Sequence, residues 1–203
     1  MAEILTSKSS KGDTIVEVAP HKTSEGLILV NTGNGKGKTT AALGVALRAV
    51  GNGLRVLILQ FIKGGSTYGE LKAIKALQEA GMPIEIRPMG KGFIFHNKET
   101  SETDLIAHKA AADKAWQMLT DEVMSDRWDL VIFDEINYAI KFGLLPVEQV
   151  VTLLEQKPAR LHVVLTGRDA RPEIIAKAHT VTEMQVVKHA YEQGIKAARG
   201  IEF

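Results

Sequence analysis

Cysteine is absent from the 203 residues, which excludes disulfides, zinc ribbons, iron–sulfur clusters and thiol nucleophiles at once. Aromatic residues make up only 5%, so any functional aromatic cluster must be small. Neither sign of charge dominates. Lys plus Arg number 25 against 24 Asp plus Glu, for a formal net charge of +1. That balance argues against nucleic acid or an anionic membrane surface as a partner. Apolar runs such as Val56 to Ile62 are far shorter than the ~20 residues that span a bilayer. Glu3, Lys8, Lys11, Asp13 and Glu17 interrupt the stretch where a secretory signal needs an uncharged apolar segment. The expectation is a cytoplasmic protein.

What is present is the balance of a globular chain, 45% apolar and 24% charged. Residues 1–25 read as an N-terminal arm, with a polar, turn-rich Lys8 to Asp13 and a short alternating strand from Thr14 to Ala19 before Pro20. Residues 26–203 read as a single domain. Leu27 to Val30, Val56 to Phe61, Leu130 to Phe133 and His162 to Leu165 are near-continuous apolar runs, the pattern of central parallel strands covered on both faces. Between and after them lie helix candidates: Lys38 to Val50, Glu70 to Ala80, Ser101 to Met124, Pro146 to Gln156 and Arg171 to Ala178. Alternation of this kind predicts an α/β fold, a mostly parallel sheet with helices on both faces.

The segment Thr32-Gly33-Asn34-Gly35-Lys36-Gly37-Lys38-Thr39-Thr40 joins the first run to the first helix. Strand, glycine-rich loop and helix in that order form the context of a phosphate-binding loop, and the fold becomes P-loop NTPase-like (RecA-like). Backbone N–H groups of Gly33, Asn34, Gly35 and Gly37 would surround phosphate oxygens, with the helix N-terminus adding a favourable dipole. Lys38 would reach the phosphates and the Thr39 hydroxyl a Mg²⁺ ion. One residue departs from the usual pattern: Thr32 stands where glycine is common. The run Leu130 to Phe133 ends in Asp134-Glu135, carboxylates placed to hold the metal directly or through water. Asn97-Lys98-Glu99-Thr100 lacks the aspartate of a guanine-recognition motif, so a GTPase is excluded. His21, His96, His108, His162, His179 and His189 show no metal-ligand spacing, and Trp116 reads as core.

Several segments together resemble the ATP:corrinoid adenosyltransferase family of the phosphate-loop type. They are Thr32 to Thr40, Gln60-Phe61-Ile62-Lys63-Gly64, Gly92-Phe93, Asp134-Glu135-Ile136-Asn137-Tyr138, Thr166-Gly167-Arg168, Lys188-His189-Ala190 and Gly200-Ile201-Glu202-Phe203. The resemblance implies transfer of the 5′-deoxyadenosyl group of ATP to a Co(I) corrinoid with release of tripolyphosphate. It implies ATP held in a reversed sense, which fits Thr32. Lys36, Lys38, Thr39, Thr40 and Arg168 would bind the triphosphate, and Thr39 with Glu135 and its neighbour Asp134 would hold Mg²⁺ or Mn²⁺. Lys38 and Glu135 would carry most of the catalytic effect. Phe93 and Phe95 would press on the lower face of the corrin, the second standing where relatives commonly have Trp. His189 is a further candidate for corrinoid contact. A flavoprotein reductant and a homodimer are also implied. The arm does not read as the Arg/Gln-rich helix that closes over the corrinoid in relatives. Two other readings of the same fold stay open on the residues alone. One is an ATP hydrolase in which Glu135 polarises water; the other is an ATP-sensing module that presents the Phe93 loop to a partner.

Overall fold

The structure is a computed structural model and describes residues 5–8, 14–17, 25–63, 68–90 and 102–202. In chain order the elements are β1 (Leu5–Lys8), β2 (Thr14–Glu17), β3 (Ile28–Thr32), α1 (Lys38–Gly51), β4 (Val56–Gln60), α2 (Gly69–Glu79) and β5 (Ile84–Pro88). They continue with α3 (Glu102–Met124), β6 (Leu130–Asp134), α4 (Ile136–Lys141), α5 (Val147–Gln156), β7 (His162–Thr166), α6 (Pro172–Ile175) and β8 (Thr180–Glu183). Strands β1 and β2 pair antiparallel in a two-stranded sheet of their own. The other six form one sheet in the order β5-β4-β6-β7-β3-β8, with every pairing parallel. This is the α/β, P-loop architecture expected from the sequence.

The central strands are apolar over most of their length because each face of the sheet has its own core. Successive side chains on a strand point to opposite faces. Val56, Ile58, Leu130, Ile132 and Val164 pack with Ala42, Ala46, Ala49 and Val50 of α1 and Ile74 of α2. Their neighbours Leu57, Leu59, Val131, Phe133, Val163 and Leu165 pack instead with α3 and α5, against Ala115, Leu119, Val150 and Leu153 among others. Trp116 is partly buried against that second core, as expected.

Several elements escaped the sequence pattern. Strands β5 and β8 lie at the two edges of the sheet. An edge strand covered on fewer sides tolerates polar residues, and Thr180–Glu183 is exposed along its whole length. Helix α6 covers Pro172–Ile175 rather than the full span from Arg171 to Ala178. The chain must turn back at His179, whose N–H donates to the Ile28 carbonyl at 2.8 Å, to bring β8 alongside β3. Helix α4 begins directly after the acid pair and was not anticipated.

Candidate active site

Seven polar side chains are buried among the described residues: Thr32, Lys38, Gln60, Glu122, Asp134, Asn137 and Thr166. All but Glu122 belong to the C-terminal end of the sheet, at or just beyond the last residues of β3, β4, β6 and β7. Burying a polar group is costly unless it is satisfied or used, so this concentration marks the site.

The loop after β3 takes the form its composition predicts. Gly37, at the N-terminal boundary of α1, has φ +107°, a conformation that any side chain would strain. A Cβ on Gly35 would lie 2.7 Å from the carbonyl oxygens of Met184 and Gln185, so the segment following β8 presses on the loop. Helix α1 opens without a side-chain cap and without an acidic residue in its first turn. Its positive end is therefore left for an anion. The Lys38 ammonium is folded back onto the carbonyls of Gly33 (2.8 Å) and Gly35 (2.6 Å). Burial lowers its pKa, opposed by Glu135 and reinforced by Arg168. Asn34, Lys36 and Thr40 are exposed, and Lys36 is ion-paired with Glu202.

The acid strand meets the loop directly. Asp134 is fully buried and its Oδ1 accepts from the hydroxyls of Thr39 and Thr166, both at 2.8 Å. Its Oδ2 accepts from Gln60 Nε2 at 3.0 Å. The residue bonded to Thr39 is thus the first acid of the pair. Glu135 sits at φ +63° and donates its backbone N–H to Thr166 Oγ1 at 2.8 Å. Its Oε2 is buried without a hydrogen-bond partner. Burial, with Asp134 beside it, pushes the Glu135 carboxyl up to about 7 against the pull of Lys38, Lys63 and Arg168. Arg168 is exposed and does not line the cavity described next, although its charge is felt at Lys38, Glu135 and Tyr138.

The loop and Glu135 border a cavity of about 410 Å³, lined by Lys36, Gly37, Lys38, Thr39, Thr40 and Glu135, with Lys63, Glu70 and Glu202 on its other sides. The oxygen donors of Thr39, Asp134 and Glu135 suit a hard cation such as Mg²⁺ or Mn²⁺, and the orphaned Glu135 oxygen is free to bind one. No group of three or more His, Asp or Glu suited to a metal occurs among the described residues. An ion here would complete its shell with phosphate and water, as Mg²⁺ commonly does.

Phe93 and Phe95 lie outside the described residues. His189 is engaged locally, its Nδ1 accepting from the Tyr191 N–H at 3.1 Å. His162 Nδ1 accepts from the Leu27 N–H at 3.0 Å. Sequence reasoning left Gln60, Lys63, Glu70 and Thr166 out of the site. Gln60 and Thr166 had a legible signal, a polar residue closing an apolar run. Glu70 had none, because a glutamate in the first turn of a helix is commonplace.

Comparison with known proteins shows the family. A family model described as ATP:corrinoid adenosyltransferase BtuR/CobO/CobP matches residues 24–203. The chain is 40% identical over 187 residues to the corrinoid adenosyltransferase of Pseudomonas aeruginosa, covering 92% of this chain and 88% of that one. It is 40% identical over 186 residues to the corrinoid adenosyltransferase of Escherichia coli, covering 92% and 90%. To the corrinoid adenosyltransferase CobA of Salmonella typhimurium it is 39% identical over 186 residues, with the same coverage.

Proposed function

We propose a division of labour within the site on one premise: the chain belongs to the ATP:corrinoid adenosyltransferase family. It transfers the adenosyl group of ATP to a cobalamin-type corrinoid, and the hydrolase and sensor readings are not favoured. Co(I) is a strong nucleophile that carries no proton, so displacement at C5′ needs no general base. The Co–C5′ bond forms as the C5′–O bond breaks, and tripolyphosphate leaves with the electron pair. The protein has to hold the reactants in line and stabilise the leaving charge.

The observation that carries this assignment is the junction of loop and acid strand, where Thr39, next in sequence to Lys38, donates to Asp134 at 2.8 Å. Lys38 exchanges its two carbonyl acceptors for phosphate oxygens and compensates the leaving charge. Gly33, Asn34, Gly35, Lys36, Gly37, Thr40 and Arg168 complete the triphosphate contacts. Thr39 and Glu135, with Asp134 behind them, hold Mg²⁺ or Mn²⁺, which when bound screens the phosphate charge. Phe93 and Phe95 are assigned to the corrin's lower face on the family resemblance alone, as are the flavoprotein reductant and the homodimer.

The remaining proposals concern the whole chain. Residues 1–25 form an arm and 26–203 a single domain; the separate pairing of β1 with β2 supports that division. A cytoplasmic location without membrane or nucleic-acid partners is supported by the balanced charge and by the lack of a membrane-spanning helix among the described residues.

The test is product analysis with ATP and a chemically reduced corrinoid. Tripolyphosphate and a cobalt–carbon bond in equal amounts are expected. ADP plus phosphate, or no turnover, would overturn the assignment.

A further inference from the structure

We propose that Lys63 is a second cation for the triphosphate, held in the ATP-free protein by Glu70 as a stand-in anion that the triphosphate displaces. The inference rests on the reading that the cavity binds the triphosphate of ATP. Lys63 lies just past the end of β4, so it approaches the cavity from a different strand than the loop lysine Lys38. Its side chain is only 13% exposed. The ammonium donates to Glu70 Oε1 at 2.8 Å, lies 3.9 Å from Asp134 Oδ2 and stands 4.9 Å above the centre of the Tyr68 ring. Both Lys63 and Glu70 line the same cavity as Lys38, Thr39 and Glu135.

The electrostatic inventory of the cavity gives this pair its meaning. Glu70, Glu135 and Glu202 line the space a polyanion must enter, with the buried Asp134 behind them, and the loop lysines Lys36 and Lys38 by themselves do not offset these four acids. Lys63 stays charged despite burial: desolvation pulls its pKa down, but Asp134, Glu70 and Glu135 more than compensate. A buried cation between carboxylates of unequal commitment can exchange one of them. Asp134 is fixed by three hydrogen bonds, from Thr39, Thr166 and Gln60, and cannot leave. Glu70 stands in the first turn of α2 with its side chain 16% exposed, held chiefly by Lys63 and to a lesser degree by its own backbone N–H and Gln60. A phosphate oxygen offers the same charge-assisted contact with more negative charge behind it. The loop shows the same arrangement at Lys36, which is occupied by Glu202.

The test is calorimetric titration of inorganic tripolyphosphate into the full chain without metal, so that neither corrinoid nor turnover enters the readout. Lys63→Met should weaken binding at least about tenfold, the scale of one charge-assisted hydrogen bond, while Lys63→Arg should restore most of it. Glu70→Gln should tighten binding several-fold, and this gain should vanish in the Lys63→Met/Glu70→Gln double variant. Persistence of the gain there would assign it to the lost Glu70 charge and overturn the exchange. Lys38→Met serves as the control. If it loses tripolyphosphate and Lys63→Met does not, the proposal fails while the cavity assignment stands. If neither variant loses it, the cavity assignment fails first. Thermal melts accompany each titration; should Lys63→Met not fold, Lys63→Arg and Glu70→Gln decide, and unchanged affinity in Glu70→Gln overturns the proposal.

Discussion

Glu122 and Glu135 are both glutamates drawn out of solvent, and they have been treated in opposite ways. Glu122, near the end of α3, is saturated: Arg87 donates to its Oε1, and Arg127 and Trp128 donate to its Oε2. Burial alone would raise its pKa, but the hydrogen bonds from Trp128 and Arg87 prevail and hold it below the usual carboxylate range. Glu135 has kept one oxygen without a partner, and its pKa is pushed up to about 7 by burial. The other buried side-chain atoms without partners among the described residues are Gln60 Oε1 and Asn137 Oδ1, on residues beside the same acid strand. A carboxylate that only ties elements together spends all of its acceptor capacity. One kept for a ligand retains some and stays costly until the ligand arrives.

The largest effect expected on the working side is that of Lys38→Ala. Losing the charge that compensates the leaving triphosphate should lower kcat by roughly 10²–10³-fold, ~3 kcal/mol or more, with little change in the melting temperature. Near-normal rates at saturating ATP would remove the loop from the mechanism. On the structural side, Glu122→Ala strips Arg87, Arg127 and Trp128 of their shared acceptor. It should cost about 2–4 kcal/mol of stability in chemical denaturation while leaving turnover per folded molecule unchanged. A loss of activity without a loss of stability would erase the distinction between the two glutamates.

Glu135→Gln sharpens the comparison through pH. The carboxyl ionises near 4.5 in the unfolded chain and at about 7 in the folded one. Its contribution to stability is therefore fully present below 4.5 and is lost as pH rises through about 7. The loss should be on the order of 3 kcal/mol, and glutamine, neutral throughout, avoids it. The stability difference between variant and parent should thus grow in favour of glutamine from acid to mildly alkaline buffer. For Glu122→Gln the sign reverses: the native carboxylate's advantage is present at neutral pH and fades on acidification. In the same Glu135 variant, the rate should need more Mg²⁺ for saturation, and an unchanged metal requirement would remove Glu135 from the metal site. The smallest effect belongs to Glu202→Gln. The Lys36–Glu202 side chains are 49% and 24% exposed, so stability should shift by less than about 0.5 kcal/mol. KM for ATP should fall about two- to threefold as Lys36 is released.

How far each part was legible follows from which forces were local. The loop from Gly33 to Thr39 could be read directly, because glycine conformation and helix start are properties of adjacent residues. The central strands were equally plain, since cover on both faces leaves only apolar residues acceptable. The edges were not: Thr180–Glu183 is exposed throughout and acquires its strand geometry by pairing with β3. The roles of Asp134 and Glu135 were not separable either. They are neighbours in sequence, but the backbone turns to φ +63° at Glu135 and sends the two side chains into different surroundings.

By itself the sequence determined the alternation of strands and helices, the phosphate loop and the acid pair, all set by periodicity and short-range backbone preference. Only the tertiary structure decided which acid meets Thr39 and which keeps a free oxygen. It also decided that Lys63 and Glu70 share a wall of the cavity and that the segment from Met184 to Glu202 packs on the loop. Those outcomes depend on residues far apart in the chain meeting at the ends of parallel strands. The free energy of a buried charge there is set by the partners the fold delivers, not by its neighbours in sequence.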